Sequence, residues 1–140
     1  MAEQHFFALG ALAFPRVVLH PDLSFGRFNG AYRTTRDAVV AILSALSDNF
    51  ADLYRLHNGL PHAIQAAMGQ HHVDLSPESP STRGSAKLMR FREKEYEGHR
   101  FTCEWHAKLE RHRNRIHFST PAAELDGKIL IGFFIDHFAT

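Results

Sequence analysis

Four ionisable side chains in two alternating pairs mark residues 99–119, HRFTCEWHAKLERHRNRIHFS: His106 and Lys108, then Arg115 and His117. Histidine titrates near neutral pH and suits proton transfer. Lysine and arginine can hold and neutralise a phosphate. Together they spell the kit for acid–base chemistry on an anionic substrate. Arg83, Arg90, Arg92 and Arg113 flank this kit and are expected to bind the same substrate.

The chemistry depends on a strand pair to position it. Phe101, Cys103, Trp105, Ala107 and Leu109 alternate with Thr102, Glu104, His106 and Lys108, which predicts a strand with one apolar and one ionisable face. Ile116 and Phe118 alternate with Arg115, His117 and Ser119 in the same way. A turn over 110–113 lets apolar residues meet: Trp105 opposite Phe118, Ala107 opposite Ile116, His106 opposite His117 and Lys108 opposite Arg115. A slip of one residue would bury Lys108 and expose Trp105, so the register is strongly specified. Two cations facing each other across a ladder are unfavourable unless the face receives an anion.

Charge distribution agrees. Net charge is only +1, but residues 1–82 carry five Lys/Arg against seven Asp/Glu, residues 83–117 ten against five, and residues 118–140 one against three. A polyanion such as RNA is the expected partner of the basic segment.

Apolar content of 44% and charged content of 22% predict one soluble globular domain over 1–140. No apolar run reaches about 18 residues, so no membrane span is expected. The single cysteine, Cys103, rules out an internal disulfide and a Cys-rich zinc site; a cytoplasmic setting is the default expectation.

The remaining elements follow from periodicity. Residues 16–20, RVVLH, read as a strand stopped by Pro21. Thr34 or Thr35 can cap a long helix on which Val39, Ile42, Leu43, Leu46, Phe50, Leu53 and Leu56 recur, with a kink expected near Ser47. Asn58-Gly59 ends it, and Pro61 opens a second helix reaching Gly69, so the helical part spans about 34–69. His71 and His72 are adjacent and lack further ligands at fixed spacing, which argues against a metal there. The proline- and serine-rich segment 75–85 reads as a flexible loop leading into a basic sheet part over 86–140, which opens with a strand at 87–92, KLMRFR. Residues 129–135 are apolar without alternation, as in a strand covered on both faces, with Gly132 marking close packing or a bulge. His137 follows that strand and is a third candidate for the histidine face. The fold class is α+β: an antiparallel sheet of four to five strands with a helical hairpin packed on one face.

This order of elements, with a His/Lys/Arg sheet face, resembles the RelE/HigB/ParE-like toxin superfamily. The resemblance covers roughly residues 15–138 by element order and 83–137 by residue type. It implies a bacterial endoribonuclease that works without metal or cofactor. Its partners would be RNA, ribosome-bound mRNA included, and an antitoxin or other partner protein, with no membrane. Lys108 and Arg115 would hold the scissile phosphate, and His106 or His117 would exchange protons with the ribose 2′-hydroxyl or the leaving oxygen. The only acidic residue expected on the face is Glu104, which favours metal-free chemistry. A non-catalytic module binding nucleic acid or protein through the same face is the alternative. A His-only metal site from His106, His117 and His137 is the third reading.

Overall fold

The computed structural model describes residues 2–138. The long apolar stripe forms helix α2 (Tyr32–Ala45), a π-helical turn (Leu46–Phe50) and helix α3 (Ala51–Leu56) in one run. The π turn coincides with Ser47, which is buried and accepts a hydrogen bond from the Arg16 amide at 3.0 Å. The helix begins earlier than Thr34, capped by no side chain; Thr34 and Thr35 instead donate their hydroxyls back to the Ala31 carbonyl. Asn58 and Gly59, both at positive φ, end the run, and Pro61 is the first residue of helix α4 (Pro61–Gly69).

The main sheet has the order β1-β7-β6-β5-β2. Its strands are β1 (Val17–Leu19), β2 (Leu75–Pro77), β5 (Trp105–Glu110), β6 (Arg113–Phe118) and β7 (Ile129–Ile135). The hairpin register is the one the alternation specifies: Trp105 faces Phe118, His106 faces His117, Ala107 faces Ile116 and Lys108 faces Arg115. The sheet is mixed rather than antiparallel, because the three-residue β1 lies parallel to β7. Gly132 is the extra residue of a bulge between β6 and β7, where a Cβ would come within 2.5 Å of Cys103 Sγ.

Trp105, Ala107, Ile116, Phe118 and Ile131 form one core with Val39, Leu43, Leu46, Phe50, Ile64 and Met68 of the helices. Each buried Val, Leu, Ile, Phe or Met side chain among these contributes about 1.5–3 kcal/mol by leaving water. Helix α1 (Glu3–Ala13) adds Phe6 to the same core. The opposite sheet face is covered in part by a small hairpin, β3 (Glu93–Tyr96) with β4 (His99–Thr102), whose Phe101 packs with Leu125 and Leu130. All seven residues of β7 are therefore buried.

Three local expectations are corrected. The strand read from Phe101 to Leu109 is broken at Cys103 and Glu104, so that β4 leaves the main sheet and pairs with β3. Residues 87–92 are not a strand: helix α6 (Ala86–Arg90) starts at Ser85, whose hydroxyl accepts from the Leu88 amide at 3.2 Å. The segment read as a flexible loop, 75–85, holds β2 and helix α5 (Pro80–Arg83). Its prolines have structural places, Pro77 in an edge strand and Pro80 in the first turn after the Ser79 cap.

Candidate functional site

The ionisable face of β5 and β6 forms the wall of a cavity of about 600 Å³. His106, Lys108, Arg115 and His117 all line it, as does His137 from beyond β7. β2 closes one side, setting Ser76 opposite His106. The amide of Glu78, just after β2, donates to the Glu104 carbonyl at 2.8 Å, and the Ser79 hydroxyl accepts from the Thr82 amide. These bonds turn the chain so that the Glu78 carboxylate points into the cavity floor.

Glu78 is the centre that the sequence did not disclose. Only 5% exposed, it places one oxygen, Oε1, 3.2 Å from His106 Nδ1, 3.5 Å from His117 Nδ1 and 3.1 Å from Arg92 Nε. Burial alone pushes its pKa up, but hydrogen bonds from His106 and Arg92, and the charge of His106, more than offset this and hold it down to about 2. It is a carboxylate at any physiological pH. The argument for metal-free chemistry, that the face carries no carboxylate but Glu104, therefore loses its basis.

Arg92 arrives from the end of α6, donates Nη1 to the Leu88 carbonyl at 2.7 Å and lies 5.0 Å above the Phe138 ring. At 1% exposure it is a buried partner of Glu78 rather than a surface arm for substrate. His106 sits between Glu78 on Nδ1 and Ser76 Oγ, 3.5 Å from Nε2. His117 is different. It is 1% exposed, packed edge-on against Phe138 at 4.8 Å, and neither ring nitrogen has a hydrogen-bond partner among the described residues. Burial, then the neighbouring charges of His106, Arg92 and Arg115, push its pKa down to about 3 despite Glu78. That favours the neutral imidazole.

Lys108 and Arg115 stand opposite each other on the cavity wall. Arg115 is anchored by Nη1 to the Asp136 carbonyl at 2.9 Å, whereas Lys108 forms no ion pair among the described residues. Asn114, at φ 62°, fixes the start of β6: its amide group exchanges two hydrogen bonds with the Asn29 backbone and its own N–H donates to Asp136 Oδ1. His137 is exposed on the rim, 3.9 Å from Asp136 Oδ2.

No family model, curated protein or solved structure matches this chain. The geometry alone therefore speaks for the site.

The other arginines expected at the substrate do not line this cavity. Arg83 is exposed at the end of α5, Arg90 belongs to a separate groove with Lys94 and Arg100, and Arg113 is exposed and ion-paired with Glu110. One feature of the sequence could have drawn attention to Glu78. It is the single charge between two prolines in a stretch otherwise free of charge, while the face opposite was short of negative charge.

Proposed function

We propose that the cavity binds and cleaves a phosphodiester, and that the chain is an endoribonuclease. The observation that carries this reading is the facing pair Lys108 and Arg115 on the wall of the same cavity whose floor holds the Glu78–His106–His117 cluster. The two cations bind the phosphate oxygens and offset charge developing on them. His106 takes the proton of the attacking ribose 2′-hydroxyl as its oxygen bonds to phosphorus, and His137 on the rim gives a proton to the leaving oxygen as its bond to phosphorus breaks. RNA is favoured as the substrate by the basic balance of residues 83–117. A toxin-like role of the RelE/HigB/ParE kind, in the cytoplasm and with a protein antitoxin, is part of the same proposal.

The test is induced expression in a bacterial host of the wild type, Lys108→Ala and Arg115→Ala at matched soluble levels. Growth arrest with fragmented cellular RNA in the wild type alone supports the reading. Intact RNA in all three, with RNA still retained by the purified wild type, would leave a non-catalytic binding module.

A further inference from the structure

We infer that Glu78, His106 and His117 form a binding site for one divalent transition-metal ion of the zinc type. The inference stands on geometry and does not need the endoribonuclease reading; only the use of the ion in cleavage rests on that reading.

One ligand atom from each residue lies within 4.8 Å of the other two. Two ligands each about 2.1 Å from a tetrahedral ion stand about 3.4 Å apart. The separations of Glu78 Oε1 from the two Nδ1 atoms, 3.2 and 3.5 Å, match that spacing before any ion is added. His117 supplies the independent sign. A buried imidazole with neither nitrogen hydrogen-bonded is costly, and a metal at Nδ1 would relieve that cost. The remaining nitrogen of His106 faces Ser76 Oγ at 3.5 Å, the kind of outer partner that orients a ligating imidazole.

The donor set chooses the ion. Two imidazoles and one carboxylate suit zinc and its neighbours, while Mg²⁺ and Ca²⁺ prefer all-oxygen shells. The charged surroundings sharpen the choice: Arg92, Lys108 and Arg115 repel a cation, so only one held by strong nitrogen bonds would remain. Three protein ligands leave a position open, and Lys108 and Arg115 line the same cavity, so an anionic substrate oxygen bound there would be the natural fourth ligand. The His-only triad expected from the sequence is thus replaced, with Glu78 in the place given to His137.

The test uses the full chain stripped with a chelator and titrated with Zn²⁺ by calorimetry, and with Co²⁺ by visible absorption. The expected result is one ion per chain, a tetrahedral Co²⁺ spectrum and a rise in melting temperature. Affinity should fall at least a hundredfold in Glu78→Gln and His106→Gln and be unchanged in a His71→Gln/His72→Gln control. His117→Gln is the third arm; should it fail to fold, the two others still decide. No binding by the wild type, or binding lost only in the His71/His72 control, would overturn the site. If Zn²⁺ binds as described but RNA is not cut, the metal site stands and the endoribonuclease reading fails.

Discussion

The buried, neutral His117 makes the metal-free protein sensitive to acid in a way that one substitution should remove. Its pKa drops from 6.5 to about 3 on folding, because burial and the facing charges of His106, Arg92 and Arg115 outweigh Glu78. Below pH 6.5 the unfolded chain therefore binds a proton that the folded chain refuses, and stability falls as pH falls. One refused proton costs about 1.4 kcal/mol per pH unit. Glu78 works in the same direction but only below its own unfolded value of 4.5. The window from 6.5 to 4.5 thus separates His117 from Glu78 and should show a loss of roughly 2 kcal/mol through this one residue. Urea unfolding with chelator present, at half-unit steps of pH, measures it against His117→Leu. The variant should lose that component of the slope. Equal slopes for the two proteins in this window would refute the assignment of His117 as a neutral, desolvated imidazole.

Further outcomes follow from the same packing. Arg92→Leu leaves the Glu78 carboxylate buried beside one fewer cation and should destabilise the chain by about 3 kcal/mol in urea unfolding. Gly132→Ala, whose Cβ would meet Cys103 Sγ at 2.5 Å and Lys94 Cγ at 3.2 Å, should cost about 1–3 kcal/mol, and Cys103→Ala should recover part of that cost in the double variant. The Cys103 thiol, fully buried and with its pKa pushed up to about 12 by burial, should react with an alkylating reagent only after denaturant is added.

The hairpin was legible because strand alternation and burial are the same statement. Trp105 and Phe118 had to be inside, and that condition alone set His106 against His117. The helical run 32–56 was legible for a similar reason, its apolar residues recurring every three to four positions. Glu78 was not legible, because proline and serine signal a loop by composition while their actual work here is local: Pro77 closes an edge strand and Ser79-Pro80 opens a helical turn. The same holds for residues 87–92. Five helical residues are too few to show a period, and the Ser85 cap that starts them reads as part of the loop. The parallel placement of β1 was beyond reach, since three residues carry no mark of their partner's direction. The hairpin's share of the cavity was thus legible, and Glu78, which joins its two histidines, was not.

The measurement closest to the central claim is cleavage of a defined, end-labelled RNA by the purified chain, with Lys108→Ala prepared in parallel. The account predicts cuts by the wild type, and at least a hundredfold slower cutting by the variant at unchanged stability. Wild type that leaves the RNA intact, or a variant that cuts it equally fast, would contradict it.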